Sequence, residues 1–174
     1  MFNCPNFIHE FKDYVTKLDV KSILEVGCLS GELKDAVGAD GIDLTPWRED
    51  VIKADIREFK PKKKYDLVFS SGLLEHYSPA EAVEILKAMA EVSRKYVLTF
   101  VPNTRCASYK NAKAKTDAPW KDELDYTADE LAELHEQAGL EVVDKGLAGK
   151  EWAKRFGSEE SEPYLVYVFA RKRI

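Results

Sequence analysis

The chain has 174 residues, 45% of them hydrophobic, which suits one domain with a sizeable core and is short for two. Its net charge of −5, with basic runs no longer than those at 62–64 and 171–173, does not favour bulk binding to nucleic acid or to an anionic membrane. The three cysteines are separated and form no CxxC pair, which predicts a protein without disulfides or a zinc site. The sequence shows no apolar stretch of membrane length and no leader signal, so we expect a cytoplasmic protein.

Predicted strands and helices alternate along the chain. Short apolar runs that end at glycine, proline or polar residues predict buried strands, and apolar spacings of three and four predict amphipathic helices. The predicted strands cover 22–26, 41–44, 51–54, 65–70, 96–101, 140–144 and 164–170, and the predicted helices cover 7–18, 32–37, 79–94 and 127–139. Strands separated by helices imply a doubly wound, mostly parallel α/β sheet, whose ligand lies at the carboxyl ends of the strands.

The loop after the first predicted strand has the composition of a ligand loop. Glu25 precedes two glycines, Gly27 and Gly31, which allow a sharp bend and a close backbone approach to a ligand. Asp43 ends the second strand, where it could accept hydrogen bonds from a ribose diol or cap the turn at Thr45. The G-x-x-x-G spacing differs from the dinucleotide fingerprint G-x-G-x-x-G.

Two further groups of polar residues follow the next strands. Asp55 and Ile56 could meet an adenine amino group and ring nitrogen, although Asp55 could instead cap the turn at 57–59. The run SSGLLEHY at 70–77 follows the fourth strand, opposite the glycine loop.

The chain resembles the class I S-adenosylmethionine-dependent methyltransferases, most closely the small-molecule branch called methyltransferase type 11. The resemblance is carried, in this order on the strand ends, by Glu25, Gly27, Gly31, Asp43, Asp55 and the LLEHY turn at 73–77. The likeness, which runs from about Ser22 to the C-terminus, implies a Rossmann-like, seven-stranded sheet with a C-terminal antiparallel hairpin in one compact domain, 1–174. It also implies an N-terminal helical lid (1–21), a cofactor-binding half (22–101) and an acceptor-covering part (102–174). Cys28, Leu29 and Ser30 stand where the family often has another glycine, and the short 43–55 connection predicts a more open adenine side.

The resemblance implies S-adenosylmethionine as cofactor and S-adenosylhomocysteine as product. It assigns Glu25 and the 27–31 loop to the methionyl end, Asp43 to the ribose, and Asp55 to the adenine; Glu25 could instead pair with a lysine at the sheet edge. The full set of predicted cofactor-binding residues is Glu25, Gly27, Cys28, Gly31, Asp43, Leu44, Asp55, Ile56, Ser70 and Ser71.

The implied reaction is in-line methyl transfer to an oxygen, nitrogen or carbon atom of a small molecule, for which no metal is expected, because a sulfonium methyl group is already activated. His76 is the candidate general base, since imidazole titrates near neutral pH; alternatively it hydrogen-bonds the loop backbone and shapes the pocket. His135 is expected to pack or face solvent, and so is His9, which could instead face the cofactor if the N-terminal helix acts as a lid.

The 103–126 connection shows no clear periodicity, so it is either an acceptor-binding lid or a solvated loop. Its cations and aromatic residues could hold an acidic or aromatic small molecule, and the 150–156 segment could contribute as well. The residues concerned are Arg105, Tyr109, Lys110, Lys113, Lys115, Trp120, Tyr126, Trp152 and Arg155.

Three other functions compete with this interpretation. A nicotinamide-dependent oxidoreductase would use Asp43 but lacks its third loop glycine here. A nucleic-acid amino methyltransferase needs an Asp/Asn-Pro-Pro-aromatic run after the fourth strand, and a basic face, which this sequence does not have. A non-catalytic cofactor-binding module has the same sequence signals. The sequence leaves the oligomeric state open.

Overall fold

The computed structural model describes residues 5–115, 122–150 and 162–173. The strands are β1 Ile23–Val26, β2 Asp40–Asp43, β3 Ile52–Lys53, β4 Tyr65–Ser71, β5 Ser93–Pro102, β6 Leu140–Ala148 and β7 Leu165–Lys172. The helices are α1 Pro5–Thr16, α2 Glu32–Val37, α3 Pro79–Val92, α4 Ala107–Lys115 and α5 Ala128–Gln137, with a 3₁₀ turn at Leu74–His76. No helix among these residues is both long and apolar enough to cross a membrane.

The strands form one sheet in the order β3-β2-β1-β4-β5-β7-β6. Strands β1 to β5 run parallel, while β7 pairs antiparallel with both β5 and β6. Strands β2 and β3 lie in succession on one side of β1, and β4 lies on the other side of β1. The topological switch point therefore lies between β1 and β4, where sheets of this type bind their ligands. The predicted Rossmann-like, seven-stranded sheet with an antiparallel end is confirmed.

Alternating residues of the buried strands supply two cores, one on each face of the sheet. On one face, Leu24 and Val68 pack with α3 and α5. On the other face, Phe69 packs with Phe11 of α1, their ring centroids 4.7 Å apart, in a cluster that also contains Tyr109 of α4. Successive side chains of a strand point to opposite faces, so this alternation also decides which strand residues can reach a ligand.

The predicted helix boundaries depend on capping residues that the structure shows in use. Ser78 and Glu81 form a capping box at the start of α3, and Thr127 and Glu130 form another at the start of α5. Gly38 ends α2 in a left-handed conformation, with its N–H bonded to the last turn.

The 103–126 connection differs from the prediction, because it contains α4. The helix has too few apolar residues to give a periodic stripe; its apolar anchors are Tyr109 and the preceding Cys106, both buried. Strand β6 also continues to Ala148, beyond the predicted end at Asp144. The side chains of Lys115, Trp120, Trp152 and Arg155 lie outside the described residues.

Gly41 of β2 fixes the distance between the sheet and the loop that follows β1. A Cβ atom at this position would lie 2.7 Å from both Cys28 Sγ and Lys34 Cδ. We expect Gly41→Ala to lower the free energy of unfolding by about 1–3 kcal/mol, the usual cost of overpacking, as measured by urea unfolding. Gly146→Ala is the control, because its nearest neighbour is the ring of Tyr167 at 3.3 Å, on the outer strand β6; an equal loss in the two variants would contradict the prediction.

Candidate active site

Two adjoining cavities lie at the carboxyl ends of β1, β2 and β4. The smaller, about 220 Å³, lies between the ends of β1 and β2 and the 54–56 segment. The larger, about 490 Å³, extends towards α1, α4 and the start of β7. Both are lined by Gly27, Leu29, Gly72 and His76, so they form one continuous cleft at the switch point.

The glycine loop between β1 and α2 uses left-handed backbone at three positions. Gly27 and Gly31 have φ angles of 73° and 71°, and a Cβ atom on Gly27 would lie 2.9 Å from Leu73 Cδ1. Leu29, where the resembling family often has a glycine, has a φ of 40°. This conformation is unfavourable for leucine, and the Leu29 N–H donates to Asp43 Oδ2 at 2.9 Å, which helps to hold it.

Asp43 supports the loop and also faces the smaller cavity. Its side chain is buried, Oδ2 accepts from the Leu29 N–H, and Oδ1 accepts from the Thr45 N–H at 2.8 Å. The capping role that the sequence left as an alternative is therefore present. Each carboxylate oxygen can accept a further hydrogen bond, so this role leaves capacity for a ligand.

Asp55 lines the same cavity with Ile56 and the half-exposed Leu44. Its Oδ1 accepts from the Arg57 N–H at 2.9 Å, and both carboxylate oxygens contact the Arg57 guanidinium. Hydrogen bonding to this guanidinium holds the pKa of Asp55 below its ordinary value. The turn-capping alternative is again observed, and a ligand would meet an ionised carboxylate already paired with arginine.

Glu25 is a buried carboxyl group that faces the larger cavity. Only 4% of the residue is exposed, and Oε2 has no hydrogen-bond partner within the described structure. The lysine pairing that the sequence allowed is not seen, because Lys34 Nζ bonds Asp35 and Asp50, each at 3.0 Å. Burial raises the pKa of Glu25 to about 8.

Ser70 and Ser71 face opposite sides of the sheet, so only one of them lines the cleft. Ser71 lines the larger cavity together with Cys28. Ser70 lies fully buried, lines neither cavity, and is on the same side of β4 as Val68, which packs with α3 and α5. The side chain of Ser70 therefore does not line either cavity, and its contact with a cofactor stays a prediction.

His76 stands where the two cavities meet. Its side chain is 46% exposed, and Nε2 lies 3.9 Å from Glu123 Oε1. The main chain of His76 helps to hold the loop, because its N–H donates to the Leu73 carbonyl at 3.2 Å. Among the described residues, the His76 imidazole makes no hydrogen bond to the loop backbone. The imidazole is thus directed at the cleft and its acidic wall.

The other two histidines lie away from the cleft. His135 is fully buried, with Nε2 3.2 Å from Thr99 Oγ1 and Nδ1 2.8 Å from the Leu131 carbonyl, so packing is confirmed for it. Its burial lowers its pKa to about 4. His9 is exposed on α1, whose residues Phe7 and Ile8 line the larger cavity instead.

Sequence reasoning missed the carboxyl groups that line the larger cavity with Glu25. Glu75 is 2% exposed, with Oε2 unpartnered within the described structure, and burial raises its pKa to about 8. Glu123, 9% exposed, accepts a short hydrogen bond from the Tyr109 hydroxyl. Glu75 belongs to the predicted 70–77 run, whereas no pattern marks Glu123, which a tertiary contact alone brings to the cleft.

The cations predicted to meet an acidic acceptor do not line the cleft in the described structure. Arg105 and Lys110 are exposed, while Lys113 Nζ donates to the Glu123 carbonyl at 3.0 Å and pairs with Asp125. Tyr126 is buried, and its hydroxyl contacts the Tyr77 carbonyl. The described lining of the larger cavity contains four glutamates and neither lysine nor arginine: Glu25, Glu32, Glu75 and Glu123.

Comparison with protein families decides the class of protein. The profile of a family described as a methyltransferase domain matches residues 4–145, most of the chain. The chain belongs to this methyltransferase family. The predicted recognition of a class I S-adenosylmethionine-dependent methyltransferase is confirmed, and so is S-adenosylmethionine as the cofactor.

Solved structures show that the methyltransferase fold extends over nearly the whole chain. A possible histamine N-methyltransferase from Thermotoga maritima has a TM-score of 0.71 at 17% identity, over 97% of this chain and 91% of its own. An S-adenosylmethionine-dependent methyltransferase from Clostridium acetobutylicum has a TM-score of 0.70 at 10% identity, over 98% and 92%. The magnesium protoporphyrin IX methyltransferase of Synechocystis, solved with S-adenosylhomocysteine, has a TM-score of 0.68 at 12% identity, over 97% and 83%. Comparison with curated protein sequences gave no significant match.

Proposed function

We propose that this methyltransferase transfers a methyl group from S-adenosylmethionine to an oxygen, nitrogen or carbon atom of a small molecule. The observation that carries the proposal is the continuous cleft at the switch point. Three acidic side chains reach it in chain order from the ends of successive strands: Glu25, Asp43 and Asp55. A nicotinamide cofactor would leave the buried carboxyl of Glu25 without a role.

The two cavities suit the two ends of the cofactor. In the smaller cavity, Asp43 would hold the ribose hydroxyls, Leu44 would cover the base, and Asp55 with Ile56 would hold the adenine edge. In the larger cavity, Gly27 would allow the close approach of the methionyl end, and Glu25 would hold its ammonium group. His76, which lines both cavities, would then lie between the residues that hold the two ends of the cofactor.

When bound, S-adenosylmethionine would supply an activated sulfonium methyl group for in-line transfer to a lone pair or carbanion of the acceptor, with S-adenosylhomocysteine as the leaving product. A hydroxyl or ammonium acceptor must also lose a proton. The protein contributes alignment and exclusion of water. Since Phe7 and Ile8 of α1 line the larger cavity, the N-terminal helix would act as the lid over the acceptor.

Ligand-induced stabilisation tests the cofactor. At a hundred times its dissociation constant, S-adenosylhomocysteine should raise the free energy of unfolding by about 2.7 kcal/mol, seen as a higher melting temperature, whereas NAD should not. Stabilisation by NAD alone would overturn the proposal. A mass-spectrometric screen for methylated products in an extract then separates an enzyme from a non-catalytic binding module, which would bind the cofactor and transfer nothing.

A further inference from the structure

We propose that Glu75, His76 and Glu123 form a binding site for one divalent metal ion, of the Mn²⁺ to Zn²⁺ series, in the wall of the larger cavity. The ligand atoms are two carboxylate oxygens and one imidazole nitrogen, and all lie within 4.8 Å of one another. All three side chains line the cavity. No metal was expected from the sequence, because a sulfonium methyl group is already activated, and Glu123 is distant from the other two residues along the chain.

The buried carboxyl group of Glu75 is the observation that points to a ligand. Its Oε2 has no hydrogen-bond partner in the described structure, although the residue is only 2% exposed. Burying a polar group without a partner is costly, so such a group needs an explanation, and a bound ion is one that fits a carboxyl group lining a cavity. Within the described residues, neither Glu75 nor Glu123 has an ion pair with lysine or arginine, and Glu123 Oε1 lies 3.9 Å from His76 Nε2.

Two hydrogen bonds support the proposed metal ligands. The Leu124 N–H donates to the Glu75 carbonyl at 2.7 Å, which fixes the 122–125 segment against the 3₁₀ turn. The Tyr109 hydroxyl donates to Glu123 Oε2, so that Oε1 remains on the side of His76. Metal-binding carboxylates usually have such a supporting hydrogen bond, which orients the coordinating oxygen.

The donor set favours an ion that accepts both oxygen and nitrogen ligands. Carboxylates suit Mg²⁺ and Mn²⁺, whereas imidazole suits Zn²⁺ and Fe²⁺, and the mixed set falls between these classes. Three protein ligands beside an open cavity leave coordination positions for water or for the acceptor. If the proposed function is correct, the ion lies at the acceptor end of the cleft, and His76 acts as its ligand rather than as a general base.

Electron paramagnetic resonance with Mn²⁺ tests the site without requiring activity. Protein freed of metal by a chelator should bind one Mn²⁺ per chain, seen as loss of the free-ion signal, and Zn²⁺ should displace it. Glu75→Gln, His76→Ala and Glu123→Gln should each weaken Mn²⁺ binding by at least about tenfold. Tyr109→Phe should weaken it by about 10–100-fold through the lost supporting hydrogen bond.

Glu32→Gln is the matched control, because Glu32 lines the same cavity outside the cluster and should leave Mn²⁺ binding unchanged. His76→Ala replaces a half-exposed side chain, so it remains informative if a variant of a buried glutamate fails to fold. No stoichiometric Mn²⁺ binding by the wild type, or equal binding by all the ligand variants, would overturn the proposal. The proposal would also be overturned if methylammonium, and not Mn²⁺, stabilised the protein, because the cluster would then be a binding site for an amine. Mn²⁺ binding without S-adenosylhomocysteine binding would instead reject the proposed function and leave the metal site standing.

Discussion

Asp43→Ala should weaken S-adenosylhomocysteine binding by at least about 2 kcal/mol, or about 30-fold, the scale of charge-assisted hydrogen bonds. The loss has two sources. The ribose hydroxyls lose their acceptor, and the glycine loop loses the carboxylate that accepts from the Leu29 and Thr45 N–H groups. The second source should also lower the free energy of unfolding by about 1–3 kcal/mol, because two partly buried N–H donors lose their partner.

Isothermal titration calorimetry and urea unfolding measure the two effects separately. Asp40→Ala is the matched control: Asp40 begins β2, the strand that Asp43 ends, and its carboxylate accepts from the exposed Tyr65 hydroxyl at 2.9 Å. This variant should bind the cofactor as the wild type does. An Asp43→Ala variant that loses stability but keeps its cofactor affinity would show that the carboxylate serves the loop alone.

The fold was predictable because local signals and the hydrophobic pattern agree along most of the chain. Buried strands such as β1 and β4 appear as short apolar runs, and the helix starts carry capping boxes at Ser78 and Thr127. Helix α4 escaped prediction because it depends on tertiary burial of Cys106 and Tyr109 rather than on an apolar stripe. Local propensity is a weak guide when packing of this kind decides the structure.

The residues of the candidate site were predictable only where they lie at the ends of strands. Glu25 is the penultimate residue of β1, Asp43 ends β2 and Asp55 follows β3, so the topology alone brings them to one edge of the sheet. The sequence left turn capping as an alternative role for Asp43 and Asp55, and the structure shows each accepting from a turn N–H. Glu123 reaches the cleft through the contact between Leu124 and Glu75, which no sequence pattern reports.

Cofactor binding should release close to one proton per chain at pH 7, because Glu25 changes its ionisation. In the free protein, burial raises the pKa of Glu25 to about 8, so the carboxyl group is mostly protonated at pH 7. The ammonium group of the bound cofactor would stabilise the carboxylate and lower that pKa. Affinity for S-adenosylhomocysteine should therefore rise by up to about tenfold per pH unit between pH 6 and 7, as the ionised fraction of the free protein increases.

The same group should make the free protein less stable as the pH rises. Its pKa in the folded state lies above the unfolded value of 4.5, so the folded chain holds a proton that the unfolded chain releases. The Glu25 contribution to the free energy of unfolding is therefore retained below pH 4.5 and lost towards pH 8, by up to about 1.4 kcal/mol per pH unit. Glu25→Gln should have a correspondingly flatter stability profile across that range.

Calorimetry in two buffers with different ionisation enthalpies counts the protons released on binding. The Glu25→Gln variant keeps the shape of the side chain and cannot ionise, so it should release none and should bind with little dependence on pH from 6 to 7. Glu32→Gln, in the same cavity, should release protons as the wild type does. Equal proton release by the wild type and by Glu25→Gln would place the cofactor ammonium away from Glu25, and the methionyl end would then require another partner in the larger cavity.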